Sequence, residues 1–225
     1  MSSIGLLLVG VVLLVNGLVI LKVVPERSAA LLNVFVGALQ VVFPTIVLVL
    51  HDGEAAILAG TWPTYLFGIT YLYYGLGIYL RLEPQGLGWF SAFVAVIAGF
   101  NAITSLGSDP VFAVIWATWA VMWSLFFALM ALGRSSVERF AGWFLVLLGP
   151  ATCSVPALFQ LRSTWSTSTA AGLLTLLIAA ALTAVALRLG RTRPPTTEPR
   201  TTEPRTTEPR TTEPLPAPAS SPASA

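Results

Sequence analysis

The sequence predicts an all-α integral membrane protein, a bundle of seven transmembrane helices with its N-terminus outside and its C-terminus in the cytoplasm. Three observations carry that expectation. Of 225 residues, 56% are hydrophobic and only 10% are charged, and the mean hydropathy is +0.81, far from the roughly 25% charged residues of a soluble domain. The apolar residues fall into runs of about 18 to 22, long enough to cross a ~30 Å hydrocarbon core as helices. Finally, Lys22, Arg27, Arg81, Arg134, Arg139, Arg188, Arg191 and Arg193 all fall on one side of a seven-span layout, against Arg162 alone on the other. The basic side is expected to be cytoplasmic.

The spans read, in order, as Ile4 to Leu21, Ala29 to Leu50, Trp62 to Leu80, Trp89 to Leu106, Val111 to Leu132, Phe140 to Leu161 and Ala170 to Leu189. The first lacks a basic leading region, so it reads as a transmembrane helix and not as a cleaved signal peptide. The links are short, "KVVPERS", "HDGEAAILAGT", "RLEPQGLG", "GSD", "GRSSVER" and "RSTWSTST", so neighbouring helices must run antiparallel. A six-span layout would send the Arg188 to Arg193 cluster outward, which argues for the seventh. Residues 1–190 are thus expected to form one transmembrane domain. From 191 to 225 the chain turns to repeats of "TTEPR" and a Pro/Ala/Ser end, which cannot bury apolar area and is expected to be a disordered cytoplasmic tail.

The titratable residues exclude whole classes of chemistry. One cysteine, Cys153, and one histidine, His51, leave no disulfide and no metal cluster to assemble, so no metal or cofactor is expected. A net charge of +2 resides in loops and tail, which points to topology and not to a nucleic-acid partner. Every Asp, Glu, Lys, Arg and His lies in a loop, the tail or the last two residues of a span. Pumps and proton-coupled carriers keep such groups within the bilayer despite their cost. An intramembrane hydrolase would need a base beside its nucleophile. No catalytic residue, and no enzyme, is therefore expected; the pattern fits a passive route for a neutral solute. The rivals are a seven-helix receptor and a structural subunit of a membrane complex. A retinal protein would need a lysine in its last span, and Ala170 to Leu189 has none.

The fifth span, "VIWATWAVMWSLFF", places Trp116, Trp119 and Trp123 on one helical face by their spacing of three and four. They span about 10 Å of helix rise, too much for an interfacial belt alone; helix packing and a pore lining both remain open. A pore walled by rigid rings would admit a flat solute and exclude hydrated ions, whose dehydration costs far more than the rings return. Uncharged polar groups punctuate the spans: Asn16, Asn33 and Gln40, then Thr70, Tyr71, Tyr73 and Tyr74, then Ser91 and Asn101, then Thr152 and Ser154. Each could line a path or serve as an interhelical hydrogen bond. Asn16, at the centre of the first span, offers two donors and an acceptor to a small planar amide. In the sixth span Pro150 and Pro156 each remove a backbone donor and mark a kink or break, and Cys153 between them reads as a small buried apolar residue.

A fainter regularity is internal. Shifting the first hairpin onto the second lays Gly10 on Gly68 and Gly17 on Gly75, and the third hairpin fits with Ala117 at the same place. Three hairpin repeats would then surround an axis along the membrane normal. In that register Asn16, Tyr74 and Trp123 share one level, and Val9, Phe67 and Trp116 another.

Several of these segments together resemble the AmiS/UreI family of small amide and urea channels. The resemblance lies in "LLLVGVVLLVNG", "RSAALLNVFVGALQ", "YLFGITYLYYG", "GWFSAFVA", "DPVFAVIWATWAVMW" and "FAGWFLVLLGPATCSVPA", and is nearer the amide-transporter branch. It implies a twisted helical bundle in the cell membrane, each protomer with its own pore and protomers ringed as hexamers amid lipid. The substrate would be a small neutral amide or urea, supplied to a cytoplasmic amidase or urease. It implies pore roles for Asn16, with Val9 and Leu13 beside it, for the aromatic pair Phe67 and Tyr71, and for Trp116, Trp119 and Trp123. Two departures stand out. Urea channels of the family carry a glutamate in span six where this chain has Leu148, and their acid gating uses ionisable groups in long outer loops. Here those loops are short, so a pore without steep pH dependence is expected.

Overall fold

Every regular element in residues 3–191, the part of the chain that the computed structural model describes, is helical. The helices are α1 (Ser3–Ile20), α2 (Glu26–Leu50), α3 (Ala55–Leu80), α4 (Gln85–Ser105), α5 (Pro110–Met130), α6 (Glu138–Thr152), α7 (Ser154–Leu161) and α8 (Thr169–Arg191), with a short 3₁₀ turn at Ser135–Val137 before α6. The repeat tail lies outside the described residues. Local chemistry sets several boundaries. Asp109 caps α5 by accepting from the Phe112 N–H at 2.9 Å, and Pro110 follows at the first helical position, where its missing donor costs nothing. At the end of α3 the chain turns through Arg81 in the left-handed region, φ 56°.

One expectation is corrected. Helix α3 begins at Ala55, seven residues before Trp62: "AAILAGT", read as loop, is helical, and only residues 51–54 join α2 to α3. Among the described residues, length and apolarity mark six segments as able to cross a membrane, with Ser135–Leu161 counted as one. Helix α3 is not among them. At 26 residues it has the length, but Thr61, Thr64, Thr70 and a run of tyrosines dilute its apolar character. Thr64, Thr70 and Tyr71 are buried, so part of that polarity faces the bundle interior.

Packing follows a rule in which the second helix of each hairpin lies chiefly on the first helix of the next: α2 on α3, α4 on α5, and α6 with α7 back on α1. The partners within each hairpin, α1 with α2, α3 with α4 and α5 with α6, touch less. Lacking a hydrophobic drive between helices, a membrane bundle depends on close approach at small residues. A Cβ on Gly17 would lie 2.8 Å from the Gly142 carbonyl oxygen of α6, and one on Gly75 would lie 2.6 Å from the Ala30 carbonyl oxygen of α2. These two glycines coincide under the internal repeat, so the first two copies use one packing device at equivalent places. The third copy departs, because Ala117 and Ser124 are exposed.

The expected discontinuity in the sixth span falls at Cys153, whose φ −121° and ψ −66° separate α6 from α7. Helix α6 continues through Pro150, the Cys153 N–H reaching the Gly149 carbonyl at 3.0 Å. Pro156 cannot donate to Thr152, four residues back, and sits in the first turn of α7, where no such bond is required. The two ends of the bundle are tied differently. At the basic end Lys22 pairs with Glu138 at 3.2 Å, and Arg139 donates to the Leu189 carbonyl at 3.2 Å. At the opposite end Ser3 donates to Gln160 at 2.9 Å, and the Trp165 indole donates to Asp109 at 2.8 Å. Helix α8 packs on α5 and α6 from outside.

Candidate functional site

The tryptophan face of α5 points inward. Trp119 and Trp123 are fully buried and Trp116 is 7% exposed, which removes the interfacial-belt reading for this stripe. At its centre sits Phe67 of α3, whose ring lies 5.0 Å from Trp119 and 4.8 Å from Trp123, both edge to face, and 6.2 Å from Trp116. Trp116 and Trp119 meet edge to face at 4.8 Å. Such pairs contribute about 0.5–1.5 kcal/mol each beyond area burial, so the four rings form a stiff plug. Val9 and Leu13 of α1 and Tyr71 of α3 belong to the same buried cluster. Seven of the eight residues singled out from the sequence therefore meet in one apolar core, and the eighth, Asn16, lies at its basic-end margin.

Asn16 is not alone. Its side-chain Nδ2 donates to Asn33 Oδ1 at 2.8 Å while Asn33 Nδ2 donates back to Asn16 Oδ1 at 2.7 Å. Asn33 also donates to the Ala29 carbonyl of its own helix at 3.0 Å. Both donors of Asn33 are thus spent, whereas Asn16 keeps one N–H and one acceptor lone pair. The amide of Asn16 is held in a single orientation by a side chain from α2.

Beside Asn16 opens a small bay of about 40 Å³, lined among others by Thr70, Tyr71, Tyr74, Ser91 and Phe126. It adjoins a vestibule of about 610 Å³ at the basic end, ringed by Lys22, Glu26, Arg81 and Glu138. Ile20, Tyr74, Leu87 and Met130 line both. A route thus runs inward from the charged rim, narrows at Asn16 and Tyr71, and meets the aromatic plug. Thr70 and Ser91 donate to their own helices, to Leu66 and Leu87 carbonyls at 2.7 and 2.8 Å, so each hydroxyl oxygen retains acceptor capacity.

Two unspent donors lie in the core, and one of them, Tyr71, belongs to the wall of the bay. The Tyr71 hydroxyl and the Trp123 indole N–H are buried and have no hydrogen-bond partner, an arrangement that native interiors avoid unless something else satisfies them. Trp119 differs, since its indole donates to Thr152 at 3.0 Å. Of the two inner indoles, only that of Trp123 is free. The bay therefore presents a mostly apolar wall punctuated by the Asn16 amide and the Tyr71, Thr70 and Ser91 hydroxyls, and no charged residue lines it. Among the described residues no group of three or more His, Cys, Asp or Glu could hold a metal ion.

Sequence reasoning named Asn33, Thr70, Tyr74 and Ser91 only among the polar groups able to line a path or to bond between helices, and it missed Phe126. Phe126 had a local signal, since it extends the stripe at 116, 119 and 123 by three more residues. Asn33 had none, because its partner lies on another helix.

A multi-pass helical membrane protein whose uncharged interior carries a mostly apolar bay beside an aromatic plug, and whose relatives are transporters and channels, is by class a transporter or channel of the cell membrane and not an enzyme. The sequence pattern of the AmiS/UreI family transporters matches residues 1–164, and this chain belongs to that family. A Rhodococcus erythropolis protein described as a candidate transporter, AmiS2, is 48% identical over 172 residues, 76% of this chain and 84% of its own length. A Mycolicibacterium smegmatis protein described as a candidate transporter of amidate substrates is 40% identical over 170 residues, 74% of this chain and 79% of its own. The crystal structure of the Helicobacter pylori urea channel superposes with a TM-score of 0.67 at 30% identity, over 74% of this chain and 100% of that one.

Proposed function

We propose that this protein is a passive membrane channel for small neutral amides, short aliphatic amides or urea, which enter the cytoplasm for an amidase or urease to consume. The observation that carries the reading is the meeting of unspent, uncharged hydrogen-bonding groups with a dry aromatic plug. Asn16 and the free Tyr71 and Trp123 donors address a planar amide, and Phe67, Trp116 and Trp119 exclude anything that must keep its water. Val9 and Leu13 supply the apolar wall. All charged side chains of the described helices lie in their first or last turns, so no intramembrane group is available for ion coupling. Leu148, fully buried in the same apolar cluster, favours amides with an alkyl group over urea. The reading includes α3 as a seventh span, the N-terminus outside, the basic end in the cytoplasm, and protomers assembled as a hexameric ring. Residues 192–225 form a cytoplasmic tail with no part in permeation.

Light scattering by proteoliposomes that contain only this protein tests it. Acetamide and urea should equilibrate faster than in protein-free vesicles, at similar rates at pH 7 and pH 5, while glycerol and sodium should not. Trp123→Ala should open the plug and admit glycerol. No amide flux above that of empty vesicles would leave a receptor or a structural subunit as the better account.

A further inference from the structure

Beyond the plug, on the side away from the vestibule, two more buried polar groups lack partners. Gln40 of α2 is 2% exposed and Thr64 of α3 is 2% exposed, yet neither Gln40 Nε2 nor Thr64 Oγ1 has a hydrogen-bond partner. Thr64 breaks a local habit, for Thr61, Thr70, Thr118, Thr175 and Thr183 each donate to the carbonyl four residues back. Its hydroxyl makes no such bond. Gln40 reaches from α2 to α1, where its amide fills the space a Cβ on Gly5 would take: Cδ lies 3.2 Å and Nε2 3.6 Å from that position. The Gln40 backbone meanwhile lies 3.2 Å from where Gly68 would carry a Cβ, and Thr64 is one turn from Gly68 on the same face of α3.

These placements locate the pair. Gly5 stands one turn from Val9 of the buried cluster and Thr64 one turn from Phe67 of the plug. Gln40 and Thr64 accordingly stand just beyond it, as Asn16 and Tyr71 stand on its near side. Interior polar groups left unpaired cost about 1–3 kcal/mol each, so a pair retained at membrane depth implies an occupant that completes their bonds.

We propose that Gln40 and Thr64 form a second binding station, for a planar carboxamide or urea, on the far side of the aromatic plug. This rests on the channel reading above. The Gln40 Nε2–H donates to the solute carbonyl oxygen, and the Thr64 oxygen accepts from the solute NH₂ group. Two stations flanking one barrier let a dehydrated solute leave one set of hydrogen bonds as it gains the other, which keeps entry favourable and release fast.

Gln40→Met and Thr64→Val keep shape while removing the polar atoms, so the double variant should fold and melt in detergent at or above the wild-type temperature. In proteoliposomes its uptake of dilute acetamide should fall about fivefold, the loss of one or two hydrogen bonds to the solute, while background glycerol permeation stays the same. Thr64→Ser should keep wild-type uptake. Acetamide uptake unchanged in the double variant, beside an active wild type, overturns the station alone, as does an equal fall for acetamide and glycerol. A wild type no faster than empty vesicles overturns the channel reading, and the station with it.

Discussion

Helices α1 and α8 are both strongly apolar spans, and both carry small residues at intervals of seven: Gly10 and Gly17 in one, Gly172, Ala179 and Ala186 in the other. Their places in the bundle are opposite. Half of α1 is buried, its glycines pressed against α6 and α7 while Val9, Leu13 and Asn16 turn into the core. Helix α8 buries only its three small residues and presents Leu173, Leu174 and Leu177 outward. In α1 the small stripe brings a second, functional face into position; in α8 the small stripe is the whole attachment. Hydropathy says that a segment enters the bilayer, and the sizes and polarity around its circumference say what it does there.

The largest expected effect comes from filling the α1 stripe. A side chain at Gly17 meets the Gly142 carbonyl at 2.8 Å and the Val146 amide nitrogen at 2.9 Å, backbone atoms that cannot rotate aside. Gly17→Leu should therefore cost more than the usual ~1–3 kcal/mol of overpacking and remove most folded protein. Gly99→Leu, at a position with nothing within 4 Å, should leave the elution profile of the detergent-solubilised protein as in wild type. If both variants elute alike, close α1 packing does not set the position of the core.

Next comes the face that α1 turns inward. Asn33→Leu removes the clamp on Asn16 and leaves its buried amide free to rotate. Membrane hydrogen bonds average about 0.6 kcal/mol and reach ~1.7 kcal/mol, so the melting temperature should drop only modestly for a pair this well aligned. Amide flux per folded protein should fall further than stability does, because the orientation of Asn16 is lost in every molecule. A variant that loses stability but conducts like wild type would make the asparagine pair a packing device only.

How much of this was legible follows from the range of each interaction. The stripe at Trp116, Trp119 and Trp123 is local, set by helical period alone, and the inward face it marked is the one observed. The break before Pro156 was local too, since a missing N–H acts four residues away. Asn16 drew attention as an isolated amide, but its bond to Asn33 joins two helices and leaves no mark in either. The same holds for Trp119 and Thr152, 33 residues apart, which decides that one indole is spent and its neighbour free. The start of α3 was misplaced because Gly60 and Thr61 read as loop, and the residues around them are mostly exposed, so no burial pattern marks the helix there.

The smallest expected effect belongs to α8. Ala179, 9% exposed, faces α5 and α6 through a side chain small enough to let the helices touch, and Ala179→Leu should push the middle of α8 outward. That displacement exposes no polar group, since the helix trades protein contacts for lipid tails of equal apolarity. The family pattern ends at residue 164, before α8 begins, and none of the residues placed in the bay or the plug belongs to it. Amide flux should stay within about a factor of two of wild type, as for substitutions remote from any buried network. A collapse of flux in this variant, with folded yield intact, would mean that α8 holds α5 in register and that the two small-residue stripes do one job and not two.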